Sequence, residues 1–288
     1  MRSLLYTPGH RGPMVDRVLA GRLAVMPDVA LLDLEDSVPA TEKENARRVV
    51  ADALARPAPS CLRYVRIGRG TSDAAEADLR AVVRRGLDGV LVPKVDRAEE
   101  IAIVDEMLLE REREAGLAER SVPVIPAIES AAALIDAPRI ARGPRVVGLM
   151  FGSEDFAAEL GLPTRREGEA AELLYARSAV VVAAVAAGVR AFDGIWADFR
   201  DEAGLRADAL RGRRLGFDGR QCIHPDQIAI VHEIFSPTPD ELEHARRVVA
   251  AYDAGMREGL GAVALDGEML DPPIVARARR LLSASRSG

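Results

Sequence analysis

Eight short apolar runs, separated by longer stretches with apolar residues three and four apart, constrain this chain more than any single motif does. The runs are Ser3–Tyr6, Val29–Leu34, Cys61–Ile67, Gly89–Pro93, Val122–Ile128, Val146–Phe151, Ala191–Ile195 and Gly219–Ile223. Each reads as a buried strand, while the spacing between them, as in Val15, Val18 and Leu19 or Ile101, Val104 and Leu108, reads as the apolar face of a helix. Repeated strand–helix units of this kind close most simply as a (β/α)8 barrel, because an open eight-stranded sheet would leave exposed edges. A doubly wound open sheet is the alternative, and it lacks its usual Gly-rich turn after the first strand. Two helix starts have cap signals: Thr41 stands three residues before Glu44, and Ser130 directly follows the fifth run.

The alternation stops after Phe235. Ser236-Pro237-Thr238-Pro239 breaks the chain, a helix is expected from about Asp240 to Arg257, a Gly-rich turn follows, and a last helix starts at Pro272. The expected division is a catalytic barrel over residues 1–235 and a C-terminal helical extension over 236–288. An extension of about 50 residues has too little apolar surface to fold alone, so it is expected to pack on its own barrel or a neighbouring subunit.

With 288 residues, 48% of them hydrophobic, the chain can bury a sizeable core. A net charge of -6, with arginines interspersed among acids, argues against nucleic-acid binding, which needs a concentrated basic face. Cys61 and Cys222 lie in separate apparent strands without metal-ligand spacing, which fits core packing in a reducing cytoplasm. The start MRSLLYTPGH has too short an apolar run for a signal peptide, and the longest apolar stretch, Ala179–Val189, is too short to span a bilayer. A cytoplasmic protein is expected.

Barrel enzymes take their catalytic groups from the C-terminal ends of several strands. Here those ends carry Thr7-Pro8-Gly9-His10-Arg11, Asp33-Leu34-Glu35-Asp36, Arg66, Lys94, Glu129, Glu154-Asp155 and His224. Glu129 and Asp155 come from adjacent strands, so their carboxylates can converge. Two close carboxylates repel unless a hard divalent cation joins them, and oxygen ligands without nearby Cys or His favour magnesium. The competing reading pairs each acid with Arg66, Lys94 or a helix N-terminus. Arg66, after the run LRYVRIG, could hold a carboxylate or an enolate oxygen, or simply neutralise Glu35 or Asp36. Lys94 is one of two lysines, with Lys43, in a chain otherwise basic through arginine. It is either a Schiff-base nucleophile or a point charge that orients Glu35 or an anion. His224 lies near the usual barrel phosphate region, where a neutral histidine bonded to backbone is an equal reading. Gly9, His10 and Arg11 precede a helix N-terminus and offer a weakly specified anion cradle.

Several motifs occur together and in order: LLYTPGHR, LLDLEDSV with EKENAR, YVRIG, GVLVPK, IPAIES, MFGSEDFAAELG, FDGRQCIHPDQI and DGEMLDPP. In these the chain resembles the citrate lyase beta subunit and malyl-CoA lyase family of CoA-ester lyases over nearly its full length, and is similar to the citramalyl-CoA lyase branch. The resemblance implies a magnesium-bound barrel that assembles as a homotrimer or a multiple of it. It makes Glu129 and Asp155 the metal ligands and Glu129 also part of the substrate site. Arg66 would contact the substrate's carbonyl oxygens, with Glu35 and Asp36 beneath the site, ordering water and Lys94. Asp271, in EMLDPP, matches an acid that completes a neighbour's active site and is the candidate base toward the thioester methyl group. Arg11 and His224 are candidate substrate contacts. The implied reaction cleaves or forms a 3-hydroxyacyl-CoA such as malyl-CoA or citramalyl-CoA, with an acyl-CoA and a 2-keto acid as partners. The alternatives are a malyl-CoA thioesterase or malate synthase outcome on the same site, a citrate lyase beta-type subunit of a larger complex, and a metal-free Schiff-base aldolase through Lys94.

Overall fold

Residues two apart on a strand share a face, so a strand buried on both sides must present one apolar set to the barrel interior and another to the helices. The computed structural model, which describes residues 1–57, 60–162, 170–260 and 262–284, shows both sets in place. Strands β1 Ser3–Pro8, β2 Val29–Asp33, β3 Leu62–Arg66, β4 Gly89–Val92, β5 Val124–Ile128, β6 Gly148–Phe151, β7 Arg190–Asp193 and β8 Gly219–Cys222 form a closed parallel barrel in chain order. Closure is made by β1 on β8, with Ser3 opposite Arg220 and Leu5 opposite Cys222, which excludes the open-sheet alternative. Every expected run coincides with a strand to within two residues at either end, β1 running on to Pro8 and β7 starting one residue early at Arg190.

The helices of this part are α1 Gly12–Leu19, α2 Lys43–Leu54, α3 Asp73–Val82, α4 Ala98–Ala115, α5 Ala131–Ile140, α6 Ser153–Glu159, α7 Leu174–Ala187, α8 Glu202–Leu215 and α9 Gln227–Phe235. Inward-facing Leu4, Val29, Leu31, Tyr64, Leu91, Ile125, Ala127, Met150 and Phe192 fill the barrel. The opposite phase, including Leu5, Leu32, Val65, Val92 and Cys222, packs against Val15, Val50, Leu79, Val104 and Leu108 of the helices. Each such side chain contributes about 1.5–3 kcal/mol by leaving water. Cys61 and Cys222 are both buried free thiols.

Ser130 caps α5 as expected, accepting from Ala133 N at 3.0 Å. The Thr41 cap does not form. A 3-10 turn over Ala40–Glu42 leads directly into α2, whose N-cap is Glu42, so Thr41 already lies inside the turn it was expected to start. At the N-terminal end of the barrel, His232 Nε2 lies 2.7 Å from Ser3 Oγ and 3.2 Å from Asp28 Oδ1. A proton relay needs its two partners on opposite ring nitrogens, so this serine, histidine and aspartate tie strand starts together.

The chain divides into two compact units after Phe235. The second contains α10 Pro239–Arg257, strands β9 Val263–Leu265 and β10 Glu268–Leu270, and α11 Pro272–Ala284. Thr238 closes a full capping box with Glu241 at the start of α10. The segment expected to be a Gly-rich turn is instead an antiparallel hairpin, with Asp266 and Gly267 both at positive φ, the form a tight two-residue turn requires. Ala245, Val248, Val263, Leu270, Val275 and Ala278 give this unit a small core of its own. No described helix is long and apolar enough to cross a membrane.

Candidate active site

The inward phase of the strands changes from apolar to polar one step before the C-terminal rim. Tyr6 follows Leu4 by two residues, Asp33 follows Leu31, Arg66 follows Tyr64 and Glu129 follows Ala127, so each polar side chain stands above an interior apolar one. They line a cavity of about 430 Å³ together with Pro8, Asp36, Ser37, Gly152, Ser153, Glu154, Asp155, Ile195, Gln221 and Ile223. The structure thus brings Arg66, Asp36, Glu129 and Asp155 to one cavity.

Arg66 is tied to Asp33. Its Nε and Nη2 donate to Asp33 Oδ1 and Oδ2, each at 2.6 Å, and its Nη1 lies 3.1 Å from Glu35 Oε2. The guanidinium also stacks over the Tyr6 ring, 4.7 Å from its centre. Burial works against charge on both Asp33 and Arg66, but their mutual hydrogen bonds outweigh it and hold the carboxyl below and the guanidinium above their usual ranges. Tyr6 Oη donates to Gln221 Oε1 at 2.9 Å, and Gln221 Nε2 is held by the carbonyls of Phe151 and Asp193.

Lys94 sits in the left-handed region at φ +52° and points two groups in different directions. Its backbone N–H donates to Glu129 Oε2 at 2.8 Å, while Nζ pairs with Glu35 Oε1 at 2.7 Å and reaches both oxygens of Asp36 at 3.2 Å. Burial opposes its charge, yet Glu35 and Asp36 raise the ammonium above the usual lysine range. A Schiff-base lysine must lose that proton, so this environment favours the orienting point charge over the nucleophile.

Glu129 is a buried acid that no cation balances among the described residues. It is buried, and burial first, with Asp155 and Glu35 adding to it, pushes its carboxyl up to about 7, with the Lys94 N–H only partly opposing. Among the described residues no arginine or lysine side chain forms an ion pair with Glu129 or Asp155, so of the competing partners only a helix N-terminus is left. Asp155 lies in the first turn of α6. The fold makes room for Glu129 through Gly152: a Cβ there would lie 2.2 Å from Glu129 Cγ.

No group of three or more His, Cys, Asp or Glu side chains gathers as a metal cage among the described residues. Two carboxylates in an open cavity nevertheless fit a hard divalent ion, because magnesium is commonly held by one or two protein carboxylates while water and substrate oxygens complete its shell. An unbalanced buried glutamate next to an aspartate is the donor set such an ion stabilises.

Arg11, His224 and Asp271 are not among this cavity's lining residues. Arg11 is the exposed N-cap residue of α1. His224 stacks on Phe199 with ring centres 4.7 Å apart, and its Nδ1 lies 3.3 Å from Asp226 N and 3.4 Å from Asp226 Oδ2, so it makes the local backbone contact expected of it. Asp271, in the second unit, accepts from Ile274 N at 3.0 Å and caps α11. Asp33 stood among the expected strand-end residues without a role, and Tyr6 and Gln221 were not singled out from the sequence; the two-residue phase from Leu31, Leu4 and Gly219 is the signal that finds them.

A (β/α)8 barrel with an acid pair and a fixed arginine at its C-terminal mouth has the architecture of a barrel enzyme. The sequence profile described as HpcH/HpaI aldolase/citrate lyase matches residues 2–225, and the chain belongs to that family of CoA-ester lyases. It is 40% identical over 284 residues to the citrate lyase subunit beta of Escherichia coli strain K12, covering 98% of this chain and 92% of that protein. It is 33% identical over 287 residues to a (3S)-malyl-CoA thioesterase of Cereibacter sphaeroides, covering 99% and 95%. The CitE protein of Mycobacterium tuberculosis, crystallised with magnesium, acetoacetate and coenzyme A, superposes with a TM-score of 0.79 at 31% identity, over 99% of this chain and 98% of that one.

Proposed function

We propose that this chain is a magnesium-dependent carbon–carbon lyase that cleaves, or forms, a 3-hydroxyacyl-CoA such as malyl-CoA or citramalyl-CoA. The observation that carries the proposal is the uncompensated Glu129 facing Asp155 in a cavity that also holds Arg66. Glu129 and Asp155 would hold the metal, which when bound polarises a carbonyl oxygen as a Lewis acid. Magnesium, an acetoacetate anion and coenzyme A in the Mycobacterium tuberculosis protein support the choice of ion and ligand class.

The chain's own residues do the rest. In cleavage the C3 hydroxyl gives its proton to water, its oxygen becomes the keto-acid carbonyl as the C2–C3 bond breaks, that bonding pair becomes the enolate of the departing acyl-CoA, and a proton is then delivered to C2. Arg66 remains charged throughout and holds negative charge on substrate oxygen. Glu35 and Asp36 keep Lys94 protonated, and the Lys94 N–H orients Glu129. Asp271 is proposed as the acid that delivers the C2 proton, and as the base in the reverse direction, acting on a neighbour within a homotrimer.

A thioesterase outcome is the second reading, favoured by the 33% identity to a malyl-CoA thioesterase. Arg66 would then hold charge on the thioester oxygen while water adds. A panel of CoA thioesters, with and without magnesium, separates the two: released acyl-CoA with keto acid marks the lyase, and free CoA marks the hydrolase.

Asp155→Ala is expected to lose magnesium binding in calorimetry and all turnover while its melting profile stays cooperative; a variant as active as wild type refutes the metal site. Mixing subunits of Asp155→Ala with subunits of Asp271→Asn should restore part of the activity that each lacks alone. Mixed assemblies as inactive as their parents would remove the role of Asp271 across subunits.

A further inference from the structure

The guanidinium of Arg66 has two edges able to bind a pair of oxygens. Its side-on edge is fully used, with Nε and Nη2 each 2.6 Å from an oxygen of Asp33. Its end-on edge, Nη1 with the second Nη2 proton, makes no aligned hydrogen bond among the described residues; Glu35 Oε2 lies 3.1 Å from Nη1 as an ion pair. One face is covered by Tyr6, whose hydroxyl is anchored through Gln221 to the carbonyls of Phe151 and Asp193.

Asp33 in turn is fixed from its own strand end. Oδ1 also accepts from Glu35 N at 2.9 Å and Oδ2 from Ser37 N at 3.1 Å, so both oxygens take two donors, and the residue has no exposed surface. A carboxylate so saturated has no lone pair left for a proton or a substrate, which rules it out as a base and leaves it an orienting role.

We propose that Asp33 is the positioning residue of this site: by occupying the side-on edge of Arg66 it turns the end-on edge, which the Glu35 ion pair at 3.1 Å shares at Nη1, toward two coplanar oxygens of a carboxylate or keto acid. An arginine swinging freely on its stem would lose that alignment, and an arginine bonded end-on to Asp33 would have no fork to offer. The inference rests on reading the cavity as the place where a carbonyl substrate binds.

The test combines one readout that needs no turnover with two that do. In ¹⁵N-labelled protein the Arg66 Nε–H resonance, identified by its loss in Arg66→Lys, should be shifted downfield and slow to exchange. In Asp33→Asn, with the fold checked by melting and magnesium binding retained, it should move upfield and exchange faster, and kcat should fall about a hundredfold, the scale of a misplaced charge-stabilising donor. Guanidinium added to Arg66→Ala should restore at least tenfold of the lost turnover, and should fail to do so in Arg66→Ala combined with Asp33→Asn. Arg66→Lys, which keeps the charge without any edge, should fall as far as Arg66→Ala.

An unchanged Nε–H resonance in folded Asp33→Asn, or equal rescue of the double variant, overturns the proposal. If Asp33→Asn does not fold, Arg66→Lys decides, and turnover above about a tenth of wild type overturns the role of the fork. Should wild-type protein turn over no thioester, the proposed function fails, and the resonance measurement still decides whether Asp33 holds Arg66.

Discussion

Glu129 is the residue on which the chemistry of the cavity turns, because it is a buried charge left without a cation among the described residues. Its carboxyl is raised to about 7, so below that pH a proton competes with any metal. Magnesium affinity should therefore fall about tenfold per pH unit below 7 and level off above it, as calorimetry across pH 5.5–8.5 would show. Without metal the sign reverses for stability. A carboxyl that holds its proton more tightly in the folded chain than in the unfolded one removes stability as pH rises from its ordinary value through about 7. With chelator at pH 8, Glu129→Gln should be more stable than wild type by about 1–3 kcal/mol, and at about pH 4, below the ordinary glutamate value, the difference should nearly vanish in urea titrations. Asp271 shows why residue type matters in such tests. It caps α11, so alanine would cost about 1 kcal/mol of local stability, whereas asparagine keeps the cap and removes only the carboxylate.

At the scale of elements, the turn between β6 and α6 builds the site. Phe151 is the last outward core residue of β6, Gly152 lets the backbone pass over Glu129, and Glu154 and Asp155 follow in the first turn of α6. Gly152 is not at positive φ; it is required by the space that Glu129 occupies. Gly152→Ala should leave the barrel folded but displace Glu129, weakening magnesium binding at least tenfold in calorimetry. Wild-type affinity in that variant would show that Glu129 shifts without consequence. The hairpin between α10 and α11 makes the opposite point about reading elements. Its strands have three residues each, too short for alternation to show, yet Asp266-Gly267 carried the turn signal.

The barrel as a whole is held on its outward side by a buried ion network as well as by apolar packing. Arg220 of β8, with no exposed surface, bonds Asp208 of α8 at 2.9 Å and the carbonyl of Gly194 at 2.8 Å. Arg177 of α7 joins the same Asp208 at 2.8 Å and also reaches Asp193 of β7. The network links the last two strands to the helices behind them, next to the β8–β1 closure. Removing one partner strands the other charges in a dry interior, so Asp208→Ala should cost about 3–5 kcal/mol in chemical denaturation. The folded fraction should still bind magnesium, because the network lies on the outward side of the barrel, away from the cavity. A loss below 1 kcal/mol would mean water reaches these arginines.

Strand number, their order as strand–helix units and the identity of the rim acids were legible in the chain itself, because alternation and helical spacing are local and each run had to be buried on two sides. That Arg66 hydrogen-bonds Asp33 in addition to pairing with the expected Glu35 was not legible, since carboxylates two and three residues apart in sequence differ only in which way the chain turns them. Nor did spacing reveal that Lys94 holds Glu129 through its backbone, or that Thr41 lies inside a 3-10 turn. Those outcomes depend on which groups arrive together across β2, β3, β4 and β5 when the barrel closes, and only the tertiary structure decides that.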